Sequence, residues 1–287
     1  MNSLLRLCLL AAALAVGGVP ADGIAEDMPE AIVEMEPGML VINARDMLSV
    51  IADEGLTVVS SNAYLNTYMD GDRISSCIVY AEIRNDTDNT VCLSGKFQFQ
   101  QGLSQPAKEE SNLSFFTPMR IEPGQTAYFD NSWYSNVWYN QLSAKALRRI
   151  NLFITAGPAD KSANGWWGGP MQMICQDDSV NVELVDSSSW ATDPEALRVS
   201  FVNRTGEMMH NPAVMVTAYD AQGQLLYIST NLMTIGNSIY DCYVPDASPC
   251  VLVTCIPRQV TWWMRENGIE AAEYRTAICY DRIGGTP

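Results

Sequence analysis

The C-terminal half of the chain is a succession of short segments in which apolar and polar residues alternate, each ended by Gly, Pro, Asn or Asp. They run from Val180 to Val185, Leu197 to Val202, Ala213 to Tyr219, Leu225 to Leu232, Ser238 to Val244, Val251 to Ile256 and Tyr274 to Tyr280. A period of two is what a strand with two unlike faces requires. Val214, Val216 and Ala218 are expected to turn inward, with Met215 and Thr217 outward, as in a half-buried sheet. Seven strands in about a hundred residues is the density of an immunoglobulin-like sandwich. Short helices are expected at Ala44 to Ala52, Ser143 to Arg149 and around Trp262 to Glu266.

The N-terminal half carries related landmarks in the same order. A strand running into an Asn-x-Thr turn occurs at Ile78 to Thr87 and at Leu197 to Thr205. Ile121 to Phe129 is set against Thr234 to Tyr240, Trp166-Trp167 against Trp262-Trp263, and the closing strand Met173 to Asp177 against Ala277 to Asp281. Four landmarks in one order argue for an internal duplication. The expected fold is therefore all-β: two tandem immunoglobulin-like β-sandwich domains with a few short helices, over residues 55–177 and 178–287. Residues 22–54, acidic and Met- and Pro-bearing at their start, are expected to be an exposed leader and linker.

The first residues point to export. Arg6 precedes an apolar run from Leu7 to Val19, and small residues suit cleavage after Ala21 or after Ala15. The run falls short of the roughly 20 residues of a spanning helix, so residues 1–21 are expected to be a signal peptide. No later apolar stretch is longer than a strand, and the mature chain is expected to lack a transmembrane segment and to be secreted or held at the cell surface. A net charge of −16 excludes nucleic acid as a partner, because binding a phosphate backbone needs clustered Lys and Arg.

The run Val216-Thr217-Ala218-Tyr219-Asp220-Ala221-Gln222-Gly223-Gln224-Leu225 resembles the FxLYD-type sandwich domains of exported bacterial proteins, in which a strand ends in Tyr-Asp and a Gly turn leads into the next. Asp220 is placed to accept from turn N–H groups and Gly223 to take a positive φ. Val216 and Ala218 stand where that family prefers Phe and Leu, and in the first half Phe97 to Gly102 keeps only the aromatic strand and the glycine. The resemblance implies a non-catalytic extracellular module.

Little in the chain suggests catalysis. His210 is the single histidine, which removes multi-histidine zinc sites and the usual Ser-His-Asp and Cys-His systems. It is expected in a loop, and Met208, Met209 and His210 would need a tight turn to converge on a soft metal. Asp70-Gly71-Asp72 and Asp177-Asp178 read as solvated turns rather than calcium ligands, so neither metal nor cofactor is expected. Paired carboxylates can hydrolyse glycosides without histidine, which leaves a hydrolase at the domain junction as the alternative class. The indoles of Trp133, Trp138, Trp166 and Trp167 offer a stacking platform for a glycan or a protein partner, against a core role for one indole of each pair. Cys242 and Cys255 flank the turn Pro245 to Pro249 and are the first candidates for a disulfide, with Cys255 to Cys279 next and Cys77 to Cys92 a pair for the first domain.

Overall fold

In this computed structural model the described residues are 32–102, 108–113, 116–131, 142–158, 171–174, 180–186, 195–230 and 243–282. They are mostly strand, so the all-β expectation holds. The strands are numbered in chain order and form four sheets. Sheet II contains β1 (Ile32–Glu36), β2 (Met39–Asn43), β4 (Leu56–Thr67), β5 (Ile74–Asn85), β10 (Thr126–Asp130) and β8 (Phe116–Thr117), in that spatial order. Sheet I contains β3 (Leu48–Ala52), β11 (Leu147–Pro158), β6 (Val91–Gln101) and β7 (Lys108–Leu113), and β9 (Arg120–Ile121) also pairs with β6. Sheet III contains β12 (Met171–Ile174), β19 (Glu273–Arg282), β15 (Met209–Tyr219) and β16 (Leu225–Thr230), and β17 (Tyr243–Val244) also pairs with β15. Sheet IV contains β13 (Asn181–Asp186), β14 (Glu195–Val202) and β18 (Pro249–Cys255). A helix, α1 (Arg258–Asn267), follows β18.

The strict alternation of β6 explains sheet I: Leu93, Phe97 and Phe99 are buried, while Lys96 and Gln98 stay partly exposed. These residues, with Ile150, Leu152 and Ile154, meet Ala63, Leu65, Val79, Ala81 and Ile83 of sheet II in one core. A second core joins Leu197, Val199 and Phe201 of sheet IV to Val214, Val216 and Ala218 of sheet III. The same cluster takes in Val41, Tyr64, Ile78 and Tyr80 from the far face of sheet II. The sheets thus stack in the order I, II, III, IV, and residues 31–287 form one compact unit.

This stacking corrects three expectations. Met215 and Thr217 do not face water; both are buried, because sheet II covers the second face of sheet III. Residues 32–52 are not an exposed leader but supply β1 and β2 to sheet II and β3 to sheet I, where β3 lies parallel to β11. Ala44 to Ala52 holds only a short 3-10 turn at Arg45–Met47 before β3, and Ser143 to Arg149 is a turn entering β11; the expected helix near Trp262 is α1. Six of the seven strands expected from Val180 onward have observed counterparts, β13 to β16, β18 and β19; the seventh, Ser238 to Val244, lies outside the described residues except for the two-residue β17.

The two Asn-x-Thr turns have one geometry. Asn85 Nδ2 donates to Asn89 O and Ile121 O, and Asn203 Nδ2 to Glu207 O and Val244 O. In each turn the Thr N–H and hydroxyl both donate to the Asn Oδ1, at Thr87 and at Thr205. Gly124 N–H donates to Asn85 O, and Ala247 N–H to Asn203 O, both at 2.7 Å. Both residues have positive φ, +78° for Gly124 and +58° for Ala247. The structural counterpart of Ile121 to Gln125 is therefore Val244 to Ser248, not Thr234 to Tyr240, a stretch that lies outside the described residues.

Candidate functional site

A groove of about 350 Å³ opens at the end of the sandwich formed by sheets III and IV. The chain builds one wall from α1, where Val260, Trp263 and Met264 recur at helical spacing. Trp263 is buried edge-on against Tyr64, their ring centroids 5.5 Å apart, which anchors the helix on sheet II. Thr261, Met264 and Arg265 line the groove. Gly268, at φ +64°, ends the helix in a left-handed cap: its N–H donates to Arg265 O, and Ile269 N–H donates to Met264 O. That turn carries Ile269, Glu270 and Ala271 along the groove to Tyr274 on β19.

Tyr227 of β16 and Ile256 form the floor, each 1% exposed. Tyr274 sits opposite Ala218, which sits opposite Tyr227. Leu184 of β13 completes the rim at 53% exposed, although its strand partner Leu197 is fully buried. The site is a hollow of mixed polar and apolar lining, with one cation, one carboxylate, a threonine and two tyrosines among its residues.

The junction between sheets II and III holds the buried carboxylates. Glu82, 4% exposed, accepts hydrogen bonds from the Ser60 and Tyr219 hydroxyls. Burial, and then the bond to Glu82, push the Tyr219 phenol up to about 12. The Arg275 guanidinium lies over the Tyr219 ring at 4.3 Å from its centroid. Asp130, 7% exposed, accepts from the Thr230 hydroxyl at 3.4 Å. Tyr128 lies opposite Glu82 and Asp130 opposite Tyr80, so both carboxylates share the covered face of sheet II. Sheet III closes over them.

Asn62 Nδ2 crosses the same junction to Leu225 O and Leu226 O, and the Tyr64 hydroxyl donates to Leu226 O. β16 is the edge of sheet III, and its register slips so that Leu226 faces no residue of β15. Such a bulge leaves carbonyls without ladder partners, and the side chains of sheet II satisfy them.

Of the residues singled out in the sequence, Trp133, Trp138, Trp166 and Trp167 lie outside the described residues, as do Cys242 and the Cys255 side chain. Cys77 and Cys92 are not bonded to each other: Cys77 is a thiol buried in β5, pushed up by that burial, and Cys92 is half-buried at the start of β6. His210 is in strand β15, not a loop, and stacks on Tyr243 at 4.7 Å. On the extended chain Met209 is buried and Met208 exposed, so the Met-Met-His set diverges. Asp70 accepts from the Asp72 and Arg73 N–H groups and pairs with the Arg73 side chain, which holds its carboxyl at about 2. Asp72 accepts from the Ser143 hydroxyl, so this turn uses its own carboxylates. Asp220 accepts from the Gln222 and Gln224 N–H groups at 2.9 and 2.8 Å, and Gly223 has φ +73°, as the Tyr-Asp turn requires. Among the described residues no three His, Cys, Asp or Glu side chains are grouped to hold a metal ion, and no helix is long and apolar enough to cross a membrane. The groove went unnoticed in the sequence, where only the apolar spacing around Trp262 and Trp263 hinted at one wall.

No family model and no curated protein matches the chain. Solved structures with partial likeness include the exo-β-D-glucosaminidase CsxA, at 11% identity over 72% of this chain and 24% of that one, with a TM-score of 0.17. Another is a Paenibacillus xanthan lyase, at 10% identity over 93% of this chain and 27% of that one, with a TM-score of 0.18. The chain spans about a quarter of the length of each.

Proposed function

We propose that this chain is an exported, non-catalytic binding module made of two duplicated immunoglobulin-like sandwiches, which receives an apolar side chain of a partner in the groove beside α1. The leading apolar run Leu7 to Val19 supports export. The atom-for-atom match of the Asn85 and Asn203 turns supports duplication. The observation that carries the binding reading is the groove itself, with Leu184 and Tyr274 exposed along its edge over a buried floor. Apolar surface in a concave, side-chain-sized hollow is where interface anchors are received.

The test is titration of the folded chain with the neutral dye Nile red. Saturable binding near one dye per chain is expected. Ala271→Trp, which fills the groove, should weaken it at least fivefold while leaving the melting temperature within a few degrees. Absence of native-state binding, or binding indifferent to Ala271→Trp and Leu184→Arg, would end the reading.

A further inference from the structure

We propose that the open edge of sheet IV is an interaction surface filled from within the chain: Ile239 and Tyr240 pair with β18, Ile239 opposite Leu252 and Tyr240 opposite Val251, and close that edge to strand addition by a partner. β18 ends sheet IV among the described residues, with β14 on its other side. Val251 and Val253 on it are 58% and 46% exposed. An edge strand that shows apolar side chains and unpaired backbone groups recruits another strand unless something covers it. In the first half of the chain β8 does so: it lies along the outer side of β10, with Thr117 opposite Tyr128 and Phe116 opposite Phe129.

The two halves keep one register from strand to strand. Ile121 and Arg120 of β9 face Val91 and Cys92 of β6, and Val244 and Tyr243 of β17 face Met209 and His210 of β15. Ala127, Tyr128 and Phe129 of β10 face Ile83, Glu82 and Ala81 of β5, and Cys250, Val251 and Leu252 of β18 face Phe201, Ser200 and Val199 of β14. In every one of these pairs the β5 or β6 residue stands 118 places before its counterpart, and the β9 or β10 residue 123 places before. Carried back from β17, the offset of 123 sets Phe116 and Thr117 against Ile239 and Tyr240, with Pro118-Met119 and Asp241-Cys242 as the matching links to β9 and β17. No insertion is needed. Phe116 is buried against Phe129, their ring centroids 4.9 Å apart, and Ile239 supplies an apolar side chain at that place beside Leu252, which packs on the second core. Tyr240 comes over the exposed Val251. Because β17 fixes Tyr243 on β15, the segment is tethered, and a tethered strand outcompetes a free one through an effective concentration on the order of millimolar. The same register sets Cys242 opposite Pro249 and leaves Cys255 six residues farther along β18, roughly 20 Å away at about 3.3 Å per residue. A disulfide joins Cα atoms no more than about 7 Å apart, so Cys242 and Cys255 are not bridged, contrary to what their places beside the turn suggest.

Introduced cysteine pairs in the full chain read the register. Tyr240→Cys with Val251→Cys, oxidised and mapped by non-reducing peptide mass spectrometry, is expected to bridge within the monomer at least tenfold more than Tyr240→Cys with Val253→Cys. Equal bridging in the two variants, or bridging in neither, overturns the pairing. A bridge between positions 240 and 251 that occurs only in disulfide-linked dimers gives the edge to a second copy and overturns it as well. Hydrogen exchange of the unsubstituted chain keeps the test independent of the variants: the peptide holding Ile239 and Tyr240 should exchange at least tenfold more slowly than an unstructured one, and exchange at the unstructured rate overturns the proposal. A native Cys242 to Cys255 bridge in the unsubstituted chain is incompatible with the register and has the same force. The dye titration of the groove is unaffected by any of these results.

Discussion

Replacing Asn62 with alanine tests whether sheets II and III are held together by the capture of β16. Asn62 is fully buried, and its amide reaches Leu225 O at 2.9 Å and Leu226 O at 3.0 Å. Leu226 O retains the Tyr64 hydroxyl at 3.0 Å, so the substitution strips the side-chain donor from one buried carbonyl, that of Leu225. An orphaned buried acceptor costs about 1–3 kcal/mol, and the small void left by the amide about 1 more. The expected loss is about 3 kcal/mol, or roughly 6–12 °C in Tm for a chain of this size. Asn62→Asp keeps the shape but aims carboxylate oxygens at two carbonyls, so it should cost more. Its cost should grow from acid to neutral pH, because only the protonated carboxyl can donate. Urea unfolding followed by tryptophan fluorescence and far-ultraviolet circular dichroism measures both variants. The parent chain is expected to unfold in one transition, and Asn62→Asp to separate it into two. A loss below about 0.5 kcal/mol for Asn62→Ala, where a lost buried partner predicts several times that, would refute the argument that this amide couples the sheets.

Three further substitutions address the corners and the junction. A Cβ added at Gly124 meets nothing within 4 Å, so Gly124→Ala should cost only the left-handed backbone penalty, about 1–2 kcal/mol. Ala247→Gly relieves the same penalty but gains unfolded-state entropy, so it should fall between neutral and about 1 kcal/mol stabilising; a neutral Gly124→Ala in denaturant titrations would show that the two corners are not equivalent. Tyr219, raised from 10.0 to about 12 by burial and by Glu82, contributes stability that is complete below pH 10 and is lost as pH rises towards 12. Two pH units correspond to at most roughly 3 kcal/mol, and Tyr219→Phe should flatten the alkaline limb of the stability curve by up to that amount. Parallel alkaline limbs in the two proteins would sink that assignment.

The strands were legible because each carries its own signal: a buried β6 or β14 writes its two faces as alternation, and the Tyr-Asp turn carries its acceptor and its glycine in ten residues. The burial of both faces of β15 was not legible. Alternating Ala, Met, Thr and Tyr look the same against water as against another sheet, and the covering layer comes from residues far away in sequence, Glu82 and Tyr128 over β15 and Asn62 and Tyr64 over β16. The groove failed for a related reason. Leu184, Tyr227, Met264 and Tyr274 each read as ordinary core or surface, and their meeting is a property of where α1 crosses the sandwich end.

The corners separate what a sequence match follows from what the backbone keeps. The Asn-x-Thr motif was visible because side-chain chemistry defines it: one amide must both donate to two carbonyls and accept from a threonine. The return turn was misplaced because its conformational marker, a glycine at positive φ, is Gly124 in the first half and Ala247 in the second. An alanine can hold this position because the surrounding bonds dictate it: Asn203 N–H donates to Ser248 O, Ala247 N–H donates back to Asn203 O, and Asp246 accepts from Gly206 N–H. The strain of one residue is outweighed by a corner whose buried polar groups are paired, so the geometry persists where the residue that would reveal it does not.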